Sequence, residues 1–191
     1  VCEIAADSCP MTTFFRHKML TVLALAGCLV PFKSHAAPPK AARFSSALNW
    51  VTKSREYKAV CLQTYANAWE KVTAAAKKQK GPWAIVMDLD ETVLDNSGYQ
   101  RRLEASGEAY SQESWEKWVI EEKSGLVPGA KEFIAKVRKL PSARIIFISN
   151  RYDRNTGHSQ SNLKKLGLSA DNDIYLLRAD RSDLKSKRRK E

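Results

Sequence analysis

The sequence predicts an α/β fold with a doubly wound parallel sheet, on three observations. Trp83–Met87 and Ala143–Ile148 are short apolar runs without polar alternation, the pattern of strands buried on both faces, and Asp173–Leu177 reads as a third, shorter strand. Stretches with helical spacing separate these runs, and alternating strands and helices imply parallel pairing through crossovers. The first run leads straight into Asp88-Leu89-Asp90-Glu91-Thr92, at the strand end where open α/β sheets place ligands.

Taken in order, the chain opens with a segment that is not expected to belong to the fold. Arg16, His17 and Lys18 precede the apolar run Met19–Phe32, which is shorter than the roughly 20 residues of a spanning helix and reads as an export signal within residues 1–36. Met11 is a plausible true start, with residues 1–10 a mis-assigned extension. Two processing routes are open. Ser34-His35-Ala36 suits cleavage to a soluble exported protein, whereas Leu25-Ala26-Gly27-Cys28 resembles a bacterial lipobox that would attach a lipid to Cys28. Both place the protein outside the cytoplasm, in the periplasm or as an outer-membrane lipoprotein. The cysteines Cys2, Cys9, Cys28 and Cys61 form no C-x-x-C pair, which argues against a zinc site and a disulfide framework.

Residues 37–80 are expected to be a helical segment. After the Pro38-Pro39 linker, Phe44–Lys80 contains neither Gly nor Pro and reads as one long helix or two in series. Trp50, Tyr57, Val60, Cys61, Tyr65, Ala68, Trp69 and Val72 recur at three- and four-residue steps, a packing stripe. Residues 81–191 are the predicted core, with a small cap inserted at about 96–127, where Ser111–Lys123 is a helix carrying Trp115, Trp118 and Val119 on one face. Pro128-Gly129 ends the insertion, Ala130–Leu140 is amphipathic, and Gly167 stops a further helix.

Two carboxylates and a hydroxyl at one strand end, Asp88, Asp90 and Thr92, are costly unless a cation binds there. The spacing suits phosphoryl transfer: one carboxylate attacks phosphorus and the second moves the proton. Mg²⁺ would offset the charge, Ser149 at the second strand end could hold a phosphate oxygen, and a later lysine would neutralise the transferring group. Trp115 and Trp118 could stack on a nucleobase or simply anchor the cap, and Asp95 and Asn96 brace the loop after the acidic cluster.

Asp88-Leu89-Asp90-Glu91-Thr92-Val93-Leu94-Asp95-Asn96-Ser97 resembles the first motif of haloacid-dehalogenase-like phosphatases, and more narrowly of the class C (bacterial non-specific) acid phosphatases. Ser54-Arg55-Glu56-Tyr57, Trp115-Glu116-Lys117-Trp118, Pro128-Gly129-Ala130, Ile148-Ser149-Asn150-Arg151 and Asn162–Gly167 agree in order. The resemblance implies a Mg²⁺-dependent acid phosphatase, with Asp88 as nucleophile and metal ligand. It makes Asp90 the acid/base, whose main-chain carbonyl also binds the metal. Ser149 would bind phosphate, supported by Asn150 and Arg151. It assigns the third motif to Lys185, with Arg181 and Lys187 as rivals, because Leu184 interrupts the expected string. Phosphorylated small molecules, 5′-nucleotides among them, are the implied substrates, and a homodimer the implied assembly.

The same resemblance carries a fourth motif, Gly-Asp-Asn followed by Asp, whose string does not occur in the 191 residues. The last strand or strands are therefore expected to be missing. The expectation is a form that holds Mg²⁺ poorly, shows little activity and exposes an apolar sheet edge, or else a non-catalytic relative. The net charge of +11 raises an alternative, a basic nucleic-acid-binding module built on the tail Lys185–Lys190. The paired acids would repel phosphate without a metal and the export signal makes DNA an unsuitable partner, so nucleic acid is not the expected ligand.

Overall fold

The computed structural model describes residues 44–190. The export-signal reading, Cys28 and both cleavage sites lie outside them. The predicted helical segment is two helices, α1 (Ser46–Lys53) and α2 (Arg55–Ala76). The break falls at Ser54, which is extended and accepts from the Tyr57 amide, a serine N-cap that starts α2 afresh. Cys61, Tyr65, Ala68, Trp69 and Val72 pack against the core as the stripe predicts, but Trp50 and Val60 are exposed.

A parallel three-stranded sheet follows, in the order β1 (Trp83–Met87), β4 (Ala143–Tyr152), β5 (Ile174–Arg178). Ile85 pairs with Ile145 and Met87 with Phe147, so these side chains share one face with Tyr175. That face carries the core, formed with Phe133, Ile134 and Val137 of α5 (Ala130–Val137) and Leu163 of α6 (Thr156–Lys165). Two expectations change here. β1 is not buried on both faces: Ala84 and Val86 on the face opposite the core are exposed, because no described element covers them there. β4 does not stop at Ile148 but runs four residues further, so Ser149, Asn150 and Arg151 lie within the strand. Its pairing with β5 shifts register between Ser149 and Tyr152, which bends the strand where the acidic cluster meets it.

Residues 96–127 hold α3 (Ser97–Ser106) and α4 (Gln112–Glu121), flanked by a two-residue antiparallel pair, β2 (Leu94–Asp95) with β3 (Gly125–Leu126). Helix α3 was not read from the sequence, since its only buried residues are Ser97, Tyr99 and Leu103. Tyr99, Leu103 and Trp118 form a separate small core with Trp115 against it. Gly98 is required here: a Cβ would stand 2.7 Å from Trp118 Cη2.

Glu122 ties this layer to α6. Its carboxylate accepts from Lys165 Nζ at 2.6 Å and Ser161 Oγ at 2.5 Å, and lies 2.9 Å from His158 Nδ1. The Lys165 hydrogen bond, then those of Ser161 and His158, hold the Glu122 carboxyl at about 2. A depressed carboxylate contributes its stability above the unfolded-state value and loses it as pH falls through the folded value. Glu122→Gln should therefore lower the urea midpoint at neutral pH, and the gap to the parent should close as pH is taken from about 4.5 to about 2. A gap of constant size across that range would contradict the assignment.

Candidate active site

The site sits at the carboxyl ends of β1 and β4. Beyond Met87 the chain stays extended through Asp88 and then turns back sharply: Val93 and Leu94 donate to the Leu89 carbonyl at 2.9 and 2.8 Å, and Glu91 takes a left-handed conformation with φ of 55°. A non-glycine residue there is strained by about 1 kcal/mol or more. The turn is braced from outside. Tyr65 of α2 donates its hydroxyl to the Thr92 carbonyl, and burial pushes that phenol up to about 12.

Asp88 and Asp90 meet different partners. Asp88 accepts from its neighbour Leu89 N through Oδ1 and forms an ion pair through Oδ2 with Lys185 Nζ. Lys185 opens α7 (Lys185–Arg188), and the structure brings it rather than exposed Arg181 or Lys187 to Asp88. Asp90 is gripped by Arg151, whose Nη2 lies 2.7 Å and Nε 3.0 Å from Oδ1, with Nε 3.2 Å from Oδ2. Ser149 Oγ donates to Asp90 Oδ2 at 3.2 Å and accepts from Arg151 N at 3.1 Å. Both Ser149 and the Arg151 side chain are fully buried.

Several site residues take places that sequence reasoning did not give them. Ser149 is joined to Asp90 inside the fold rather than open at a strand end. Arg151, expected only as a support, is the direct partner of Asp90, and its guanidinium also bonds Ser159 Oγ and lies over the Trp115 ring. Asn150 is exposed, and its Oδ1 accepts from Arg188 at 3.3 Å. Thr92 joins the site through its main chain, as the acceptor for Tyr65.

Two residues were missed in their full roles. Asn96 is the hub between the acidic loop and α4. Its amide donates to Asp90 Oδ1 at 3.0 Å and Glu91 Oε1 at 3.1 Å, while its Oδ1 accepts from Trp118 Nε1 at 2.9 Å and Ser124 Oγ at 2.7 Å. Loss of water around Glu91 pushes its carboxyl above the ordinary range, and the Asn96 hydrogen bond opposes this. Arg188, counted in a basic tail, is buried instead. It donates to the carbonyls of Ser149 and Leu176, both at 2.7 Å, and to Asp183 Oδ1 at 3.1 Å, pinning the segment that carries Lys185 onto β4 and β5.

The described residues do not by themselves make a magnesium shell. No three His, Cys, Asp or Glu side chains converge among them. Both Asp88 oxygens already have partners, and the Asp90 carboxylate is taken by Arg151, Ser149 and Asn96. A metal would have to share Asp88 with Lys185 and the Leu89 amide, and with the Asp90 carbonyl this gives fewer donors than the ion's octahedral demand without water and substrate.

The chain matches the model of the HAD superfamily, subfamily IIIB (acid phosphatase), over residues 29–191. Two solved structures of the class C acid phosphatase from Bacillus anthracis, one with tungstate bound, each show 32% identity and a TM-score of 0.67. Each match covers 75% of this chain and 61% of that chain, so the chain spans about three-fifths of the length of these relatives. With its parallel sheet and its acidic loop at the end of β1, the chain belongs to the acid phosphatases of HAD subfamily IIIB.

Proposed function

We propose that the chain hydrolyses phosphate monoesters through an aspartyl-phosphate on Asp88, at a low rate because the described residues offer Mg²⁺ only Asp88 and the Asp90 carbonyl. The observation that carries this reading is the pairing of two acids at one strand end with two separate cations, Asp88 with Lys185 and Asp90 with Arg151. An anionic ester can approach Asp88 because Lys185 offsets its charge and can shift onto the incoming phosphate. Asp90 first takes a proton from water, an Asp88 oxygen then attacks phosphorus, the ester oxygen leaves with that proton, and Asp88 holds the phosphoryl group. Water then attacks phosphorus, Asp90 takes its proton, and inorganic phosphate leaves with Asp88 restored. Asp90 Oδ2 is the oxygen suited to carry the proton, since its contacts to Arg151 and Ser149 are both 3.2 Å, while Oδ1 is held at 2.7 Å.

Mg²⁺ is the ion the family resemblance suggests, and it would polarise the phosphate; Asp88 and the Asp90 carbonyl are the donors this chain would offer it. Residues 96–127 serve as the cap, and 5′-nucleotides are the esters suited to a site where Trp115 lies against the Arg151 guanidinium. Export, either with cleavage after Ala36 or with a lipid on Cys28, and a homodimer complete the reading as proposals. The nucleic-acid alternative is weaker, because Arg188 is buried and Lys185 is paired with Asp88.

The test is hydrolysis of para-nitrophenyl phosphate with and without Mg²⁺, followed by an acid quench and peptide mapping. A hydroxylamine-labile phosphoryl group on the Asp88 peptide is the expected result. Turnover with the label on another residue would overturn the mechanism, and absence of turnover in both conditions would overturn the activity.

A further inference from the structure

The two ends of an asparagine amide are nearly alike in shape, so only their partners decide which way the group points. Asn96 is fully buried between two kinds of partner that cannot be exchanged. On one side the Trp118 indole donates to Asn96 Oδ1 at 2.9 Å, and an indole nitrogen can only donate. The Ser124 hydroxyl donates to the same oxygen at 2.7 Å. On the other side Asn96 Nδ2 donates to Asp90 Oδ1 at 3.0 Å and Glu91 Oε1 at 3.1 Å, and a carboxylate can only accept. A reversed amide would lose the indole bond and both carboxylate bonds.

We propose that Trp118 and Ser124 are positioning residues for Asp90: by fixing the Asn96 amide they keep Asp90 Oδ1 engaged and leave Oδ2 to pass the proton to the leaving oxygen. This rests on the phosphatase reading above, which gives Asp90 its role.

The fixing matters because Arg151 alone hardly tells the two Asp90 oxygens apart by its Nε, which lies 3.0 Å from Oδ1 and 3.2 Å from Oδ2. Asn96 adds its donor to Oδ1, already held by Arg151 Nη2 at 2.7 Å, whereas Oδ2 has only Arg151 Nε and Ser149 Oγ, both at 3.2 Å. A donor committed to one oxygen opposes rotation of the carboxylate about its Cβ–Cγ bond.

The two positioning residues are held in turn. The buried Asn162 of α6 brackets the main chain of Ser124: its Oδ1 accepts from Ser124 N at 3.2 Å, and its Nδ2 donates to the Ser124 carbonyl at 3.1 Å. Trp118 is 4% exposed and packs with Tyr99 and Leu103. That burial leaves its ring no open face for a nucleobase, and its N–H is spent on Asn96.

The experiment measures kcat/KM for two esters. The leaving group of para-nitrophenyl phosphate departs without needing a proton, and that of glycerol phosphate, an alkyl ester, needs one. For both, kcat/KM covers only the steps through departure of the leaving group. Trp118→Phe keeps an aromatic ring and removes the N–H, and Ser124→Ala removes the hydroxyl. Each should lower kcat/KM about tenfold or more on the alkyl ester and about threefold or less on the aryl ester. Loosening or partial unfolding lowers both alike and leaves their ratio where it was, so the ratio reads positioning alone. Ser124→Ala, the smaller change, decides the matter if Trp118→Phe does not fold. An unchanged ratio in the folded variants would overturn the proposal and leave the phosphatase reading intact. A parent chain that cleaves only the aryl ester would also overturn it, since Asp90 then delivers no proton. A parent that cleaves neither ester removes the phosphatase reading and this proposal with it.

Discussion

Arg151→Met should cost about 3–5 kcal/mol of folding stability, measured from urea unfolding. The Arg151 side chain is wholly buried, and it is the only cation paired with Asp90 among the described residues. Removing the guanidinium leaves the Asp90 carboxylate, itself only 20% exposed, without the partner that offsets its desolvation. The same change strips a donor from Ser159 Oγ and a cation from the Trp115 ring. Asp90→Asn added to Arg151→Met should recover a large part of the loss, because the uncompensated charge goes with it. A double-mutant cycle is the measurement that separates these terms. If the two single changes simply add, the pair contributes through packing alone, and the account of Asp90 as a charge held by its own strand neighbour is wrong.

How far the sequence foretold this arrangement can be judged from particular residues. The bounds of β1 follow from local chemistry, Gly81-Pro82 before it and the acids after it, and the strand runs from Trp83 to Met87 as read. Helix α4 was legible because Ser111 caps it and its tryptophans recur at helical spacing. The extension of β4 through Tyr152 was not legible. Ser149-Asn150-Arg151 is polar, and what keeps it in the strand is a distant pairing with β5 and the bond from Ser149 to Asp90. Arg188 failed for a related reason. In a run of lysines and arginines nothing local marks the one whose donors reach the carbonyls of Ser149 and Leu176. Asn96 sits beside Asp95 in a motif that points to a braced loop, but its reach to Trp118 depends on where α4 packs. Burial of β1 on both faces was overread: apolar residues allow a covered face without requiring one, and Val86 is 47% exposed.

Asp88→Asn should abolish ester hydrolysis, lowering turnover by about a thousandfold or more, while changing the urea midpoint little. The contrast with Arg151 follows from exposure. The side chains of Asp88 and Lys185 are 38% and 26% exposed, so their ion pair is screened by water and its loss should cost under about 1 kcal/mol. An amide keeps the shape of the carboxylate and can still accept from Leu89 N, yet it cannot form the acyl phosphate. Lys185→Met tests the other half of the pair. On the proposed mechanism it leaves the nucleophile in place but removes the charge that would let an anionic ester approach it, so turnover should fall about a hundredfold or more with stability again nearly unchanged. The two changes together should cost no more activity than Asp88→Asn alone, since the lysine acts only on a reaction the aspartate begins. An Asp88→Asn chain that still turned over ester at the parent rate would move the chemistry away from the end of β1. A Lys185→Met chain with full activity would return the lysine to the basic surface and reopen the assignment to Arg181 or Lys187.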